Sequence, residues 1–166
     1  VSFASYRDVK KSFFDSLPKT AFALTNLDDK NGNIMLQNSK ARKRTYALKT
    51  LADYKAKIIE KSFSGTLISI NDTEFWTKLI GNFNAYNLAA IIGVAYELGL
   101  EKIEILTIIS QLESVSGRFE HLVSDNGVIA IVDYAHTPDA LKNVLETIND
   151  ILSLIHISEP TRLRRI

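Results

Sequence analysis

The sequence of 166 residues predicts an α/β fold, and three observations carry that reading. Short apolar runs such as AFALT (21–25) and VIAIV (128–132) have strand length and β-branched character. Apolar residues recur at helical spacing in other stretches, as at Tyr6, Val9, Phe13 and Leu17 and again at Leu141, Val144, Leu145 and Ile148. Between them, residues 52–80 alternate polar and apolar around turn signals at Ser64-Gly65 and Asn71-Asp72, which marks a small antiparallel patch. Where strand and helix alternate, the strands are expected to run parallel.

The elements follow in order. The Tyr6–Leu17 stripe gives a first helix with one buried face, stopped by Pro18. AFALT is a buried strand. NLDDKNGNIMLQN opens with an asparagine and two aspartates, good capping residues, and starts a second helix. RTYALK (44–49) is a strand, and AKIIEKSF, TLISI and FWTKLI are antiparallel strands. Residues 87–98 form an apolar helix ended by Gly99, and residues 101–112 another with Ile105, Leu106, Ile109 and Leu112 inward. SVSGRFEH is a small-residue break that places a domain boundary near Ser116. HLVS and the buried strand VIAIVD flank Asp125-Asn126-Gly127 as a hairpin. Thr137 then caps a helix with Pro138 at its first position. From Leu152 the helical pattern breaks. LSLIHISEPTR (152–162) resembles the conceptual translation of a transposase sequencing adapter, so residues 152–166 are set apart as non-native and His156 is given no role.

Bulk properties narrow the function. Hydrophobic residues make up 46% and charged residues 23%, an ordinary globular balance. A net charge of +1 supplies no field for nucleic acid or an acidic membrane surface. Without cysteine there are no disulfides or thiolate metal sites, which fits a cytoplasmic location. No apolar run has transmembrane length, and the first residues lack a signal-peptide pattern. The chain does not start with methionine, so it is expected to begin within a longer protein.

Four groups of residues could carry chemistry. Asp133 and His136 stand where a strand gives way to a helix N-terminus, the place where open α/β sheets bind ligands. Such a terminus favours phosphate, a carboxylate can accept from a ribose hydroxyl, and an imidazole can donate to a phosphate oxygen. In isolation, a capping aspartate and a solvated histidine explain them better. Asn84 and Asn87 lie three apart at a helix start, on one face, with amides that match the edge of adenine; two N-terminal caps would look the same. Arg118 in GRFE suits bidentate phosphate recognition, or is a surface charge. Lys10 borders the Tyr6–Val9–Phe13 stripe, where a lysine ordinarily packs its stem and solvates its head.

Taken in order, YRDVKKSFF, NLDDKNG, IGNFNAYNLAA, VSGRFE and VDYAHTPDAL resemble the Mur ligases over residues 1–150, and most the branch that adds the third residue of the peptidoglycan stem peptide. The resemblance implies residues 1–115 as the later part of a central ATP-binding domain, with parallel and small antiparallel sheets, and residues 116–151 as the start of a Rossmann-like C-terminal domain. It implies an acyl phosphate made with ATP and attacked by the amino group of the incoming amino acid, expected to be meso-diaminopimelate with lysine as the alternative, on UDP-N-acetylmuramoyl-L-alanyl-D-glutamate. It further implies Lys10 as a carbamylated lysine that helps hold Mg2+, with Lys11 the neighbouring alternative. Asn84 and Asn87 fall on the adenine side, Arg118 and His136 on the phosphate side with His136 also catalytic, and Asp133 on the ribose. The implied enzyme is a cytoplasmic monomer without nucleic-acid or membrane partners. No G-x-x-x-x-G-K-[ST] loop occurs in these residues, so this segment alone is expected to be inactive. Three alternatives stand beside this: a non-catalytic nucleotide-binding or interaction module, a folylpolyglutamate synthase-like ligase, which shares the Asp-x-x-His pattern, and a metal-dependent hydrolase using Asp133 and His136. The last is short of histidines for a metal cluster.

Overall fold

The computed structural model describes residues 3–158. Helix α1 (Phe3–Ser16) forms on the predicted stripe, but that stripe faces outward: Tyr6, Val9 and Phe13 are 54%, 69% and 63% exposed. The half-buried side carries Arg7, Lys11, Phe14 and Asp15. Phe14, with Leu17 and Ala21, packs on a small core of Ala23, Leu36 and Ala41. The sequence period thus marks the helix, but the covered side is the one opposite the apolar stripe.

Strand β1 (Phe22–Asn26) leads into the short helix α2 (Gly32–Leu36). The two aspartates expected to cap α2 do other work. Asp28 accepts from the backbone N–H groups of Leu48, Lys49 and Thr50 at 2.7–2.8 Å and from the Tyr86 hydroxyl at 2.8 Å. Asp29 accepts from the Asn31 N–H at 2.7 Å. The N-cap position falls to Asn31, which makes no side-chain capping bond. A Cβ on Gly32 would stand 2.0 Å from the Asn26 carbonyl oxygen, so this approach of α2 to β1 requires glycine.

Strands β2 (Arg42–Ala47), β3 (Tyr54–Ser62), β4 (Gly65–Ile70) and β5 (Thr73–Thr77) complete one sheet in the order β1-β2-β3-β4-β5. The β1–β2 pair, with α2 between its strands, is parallel, and β3–β4 and β4–β5 are antiparallel, as the alternation patterns predict; β2–β3 is also parallel although no helix separates the two strands. Asn71 and Asp72, at φ 46° and 61°, form the two-residue left-handed turn between β4 and β5. FWTKLI is strand only to Thr77; beyond it the Thr66 hydroxyl donates to the Leu79 carbonyl as the chain leaves the sheet.

Helix α3 (Asn82–Glu97) begins five residues before the expected start, after Gly81 at φ 99°, and helix α4 (Lys102–Ser110) follows. The main core lies between Ala56, Ile68, Ile70 and Phe75 of the sheet and Ala85, Leu88, Ala89 and Ile92 of α3, with Ile105 and Ile109 of α4. Gly93 lets α3 approach closely, since a Cβ there would meet the Tyr54 ring at 2.8 Å. Glu97, its side chain 6% exposed, pairs with Arg42 and Arg44 and accepts from the Tyr54 hydroxyl at 2.8 Å, tying the end of α3 to β2 and β3.

A separate hairpin, β6 (Glu120–Val123) and β7 (Ile129–Val132), is antiparallel and precedes helix α5 (Pro138–Ser158). Strand β7 is not the buried strand its sequence suggested. Its residues alternate half-buried and exposed, because a two-stranded ribbon has only one covered face. The Thr137 hydroxyl accepts from the Ala140 N–H at 3.2 Å, as a cap should. On α5 the inward residues are Val144, Thr147, Ile148 and Ile151; Leu141 and Leu145 are exposed. Ile80, Phe119, Val144 and Ile151 form a second core that seats α5 and the hairpin segment beside the sheet, and Lys61 bonds Asp150 at 2.8 Å across the same contact. The backbone stays helical to Ser158, past Leu152 where the pattern was read as broken; residues 159–166 lie outside the described residues.

Candidate functional site

A cleft of about 510 Å³ opens between α3, the segment after α4 and the start of α5. Asn84, Asn87, Arg118 and Asp133 all line it, although 49 residues of sequence separate the first from the last. Its apolar walls include Leu79, Phe83, Ile91 and Val115.

The helix period explains the floor. Ala85, Leu88, Ala89 and Ile92 turn into the core, which leaves Asn84, Asn87 and Ile91, at i, i+3 and i+7, on the cleft side of α3. Asn84 donates from Nδ2 to the Ile80 carbonyl at 2.8 Å, and its Oδ1 accepts from Asn87 Nδ2 at 3.3 Å. The two amides thus orient one another and leave Asn87 Oδ1 as an acceptor at the cleft.

The opposite wall is built on a strained turn. Gly117 has φ 69° and Phe119, a non-glycine, φ 50°. Phe119 is held there by burial in the second core and by its N–H donating to Asp133 Oδ2 at 2.8 Å. Glu120 accepts from the Gly117 N–H at 2.9 Å and the Ser116 hydroxyl at 3.1 Å, and the Tyr134 N–H donates to the Gly117 carbonyl at 2.8 Å. Arg118 is thereby presented from a fixed turn, and makes no ion pair among the described residues. Asp133 spends one oxygen on the turn and keeps the other for the cleft.

His136 is not among the residues lining this cleft. It is exposed, with Nδ1 at 3.0 Å from the Tyr134 carbonyl oxygen. A carbonyl can only accept, so Nδ1 carries the proton and Nε2 faces outward. Lys10 is also elsewhere. It lines a second cleft, of about 330 Å³, with Tyr6, Asn26, Asp29, Asn31 and Tyr46 among its walls, and its Nζ lies 4.6 Å from the Tyr6 ring centroid. Lys11 instead bonds Asp15 at 2.6 Å. Of the two lysines, only Lys10 presents an amine that makes no ion pair among the described residues.

The cleft can take a nucleotide by its own chemistry. Apolar walls suit a purine, the asparagine amides its polar edge, Asp133 a sugar hydroxyl and Arg118 a phosphate. Magnesium fits less completely. No group of three or more histidine, aspartate or glutamate side chains able to hold a metal forms among the described residues, so Lys10 as a carbamate could contribute one ligand but not a whole site.

Sequence reasoning missed three features. Asp28 is the first: burial alone would raise its carboxyl, but contacts from Thr50, Lys49, Tyr86 and Leu48 hold it well below the usual carboxylate range. Burial and the Asp28 contact in turn push the Tyr86 hydroxyl up to about 12. The second is the Glu97 cluster, and the third is Tyr134. All three depend on partners remote in sequence or on a ring whose neighbours only the fold defines. No helix among the described residues is long and apolar enough to cross a membrane.

Comparison with known proteins covers most of the chain. The family model for the Mur ligase middle domain matches residues 2–95, and that for the Mur ligase glutamate ligase domain matches residues 117–157. Proteins named UDP-N-acetylmuramoyl-L-alanyl-D-glutamate–2,6-diaminopimelate ligase are similar: that of Parabacteroides distasonis is 56% identical over 89% of this chain, and that of Phocaeicola vulgatus 54% over 90%. The chain spans only 30% and 31% of those relatives. A solved structure bearing the same enzyme name is 28% identical, with TM-score 0.71 over 90% of this chain and 32% of its own. The fold also recurs in the UDP-N-acetylmuramate–alanine ligase of Thermotoga maritima, at 22% identity and TM-score 0.72. With the middle-domain match alone covering more than half of its residues, the chain belongs to the Mur ligases.

Proposed function

We propose that this chain is a segment of an ATP-dependent ligase that joins meso-diaminopimelate to UDP-N-acetylmuramoyl-L-alanyl-D-glutamate in peptidoglycan synthesis. The observation that carries the reading is the convergence of Asn84, Asn87, Arg118 and Asp133 on one cleft. Relatives 49–56% identical and named for that reaction supply the substrates. Residues 1–115 serve as the later part of the central domain, residues 116–151 as the start of the C-terminal one, and residues 152–166 as adapter-derived sequence. The enzyme is placed in the cytoplasm as a monomer.

Each residue contributes by position and charge. ATP would supply the phosphoryl group that activates the substrate carboxylate as an acyl phosphate; the diaminopimelate amine would then attack the acyl carbon, forming the amide and expelling phosphate. The Asn84–Asn87 pair orients the purine, Asp133 accepts from the ribose, and Arg118 neutralises phosphate charge. His136, with Nδ1 bonded to a backbone carbonyl, offers its Nε2 edge to a phosphate oxygen once its segment closes on the nucleotide. Lys10, free of ion pairs among the described residues, is the amine available for carbamylation and hence for one magnesium-ligating oxygen.

The test is ATP-dependent phosphate release by the full-length ligase carrying this segment, with the UDP-linked dipeptide and either meso-diaminopimelate or lysine. Release that requires the dipeptide and prefers diaminopimelate supports the reading. Release with folate and glutamate instead assigns the chain to the folylpolyglutamate synthase-like alternative, and nucleotide binding without release assigns it to a non-catalytic module.

A further inference from the structure

Tyr134 is 68% exposed, yet its ring is engaged on two sides. The Arg118 guanidinium carbon lies 5.6 Å from its centroid, and the His136 ring meets it edge-on at 5.3 Å with an interplanar angle of 64°. The same residue contributes the backbone carbonyl that sets the His136 tautomer and a backbone N–H that closes on Gly117. Its hydroxyl makes no hydrogen bond among the described residues. A large exposed aromatic ring that buries little of itself and contacts two candidate phosphate ligands is poorly explained by core packing. Those two residues lie on different segments, the strained 117–119 turn and the loop just before α5, and the ring is the side chain both of them touch.

We propose that Tyr134 is a positioning residue of the nucleotide site: its ring holds the Arg118 guanidinium by a cation–π contact and the His136 imidazole by an edge contact, so that both face the phosphates as one unit. The inference rests on the assignment of Arg118 and His136 to the phosphates. It requires the ring and not the hydroxyl, so Tyr134→Phe retains function and Tyr134→Leu does not.

The experiment is steady-state kinetics of the full-length ligase with Tyr134→Leu, Tyr134→Phe, Arg118→Ala, His136→Ala and the Tyr134→Leu/His136→Ala double variant. Tyr134→Leu is expected to lower kcat roughly tenfold, about what losing two such ring contacts allows, with KM for ATP changed less than about threefold; Tyr134→Phe stays within about twofold of wild type. In the double variant the Tyr134→Leu effect shrinks, because the ring acts in part through the lost imidazole. Impaired Arg118→Ala and His136→Ala beside an unaffected Tyr134→Leu would overturn the positioning role and leave the nucleotide site standing. Fully additive losses in the double variant would overturn it too. Wild-type rates in both Arg118→Ala and His136→Ala would remove the phosphate assignment itself.

Discussion

At the scale of single residues, Asp28 shows how one carboxylate can organise a fold. Three consecutive backbone N–H groups and a tyrosine hydroxyl converge on it, and its contacts hold its carboxyl below the ordinary value despite burial. Hydrogen bonds to charged groups contribute about 1.5–3 kcal/mol each, so Asp28→Ala should cost on the order of 3 kcal/mol after relaxation. The folded carboxyl titrates below the unfolded one. The stabilisation is therefore complete above the unfolded pKa of about 3.9 and disappears as pH falls from there toward the folded value. Denaturant titrations at neutral pH and near pH 3 should show wild type losing its advantage over Asp28→Ala at low pH; parallel curves would mean that the carboxylate is not what holds the loop. The lysines make a second residue-scale case. In the full-length ligase, Lys10→Ala should abolish most activity, with partial rescue by short carboxylic acids, whereas Lys11→Ala, which removes a half-buried pair with Asp15, should leave activity nearly unchanged. An essential Lys11 with a dispensable Lys10 would shift the assignment by one residue. Asn84, Asn87, Arg118, Asp133, His136 and Lys10 are proposed from the resemblance of short, contiguous motifs to the Mur ligases; the fold brings the first four to one cleft and leaves His136 and Lys10 off it. Asp28 was misread as a helix cap, because its true partners lie about twenty and fifty-eight positions away.

At the scale of elements, periodicity revealed where helices and strands lie better than it revealed which side is covered. The β3–β4–β5 meander was legible because alternation and turn residues agree, down to the Asn71-Asp72 turn. The covered faces of α1, α5 and β7 were not, since coverage depends on neighbours that periodicity cannot name. Close approaches are equally hidden, and two glycines test them. Gly32→Ala would drive a Cβ into backbone atoms of Asn26, which cannot yield, whereas Gly93→Ala would press on the Tyr54 ring and Leu24, which can. Overpacking costs about 1–3 kcal/mol, while alanine in place of a helical glycine returns roughly 1 kcal/mol. Gly93→Ala should therefore be within about 2 kcal/mol of wild type, and Gly32→Ala clearly worse. Thermal unfolding of both variants checks the order; equal Tm values would show that α2 can shift away from β1.

At the scale of the molecule, the segment 117–158 meets the sheet through the second core and the Lys61–Asp150 pair. Removing a buried Ile side chain costs about 2–5 kcal/mol, whereas an exposed ion pair is worth roughly 0–1. Ile151→Ala should therefore loosen α5, read as faster amide exchange across β6, β7 and α5, while Lys61→Ala leaves exchange nearly unchanged; the reverse order would make the ion pair the true clamp. That seating gives the cleft its second wall, for without it Arg118 and Asp133 would not face Asn84 and Asn87. On the proposed function, this cleft holds the adenine end of ATP. Photolabelling of the full-length ligase with 8-azido-ATP tests it most directly, because the azide marks the purine. The modified peptide should come from the residues lining the cleft, around 79–91 or 112–118, and unlabelled ATP should protect it. Protected labelling that falls instead on the second cleft, around Tyr6, Asn31 and Tyr46, would contradict the account.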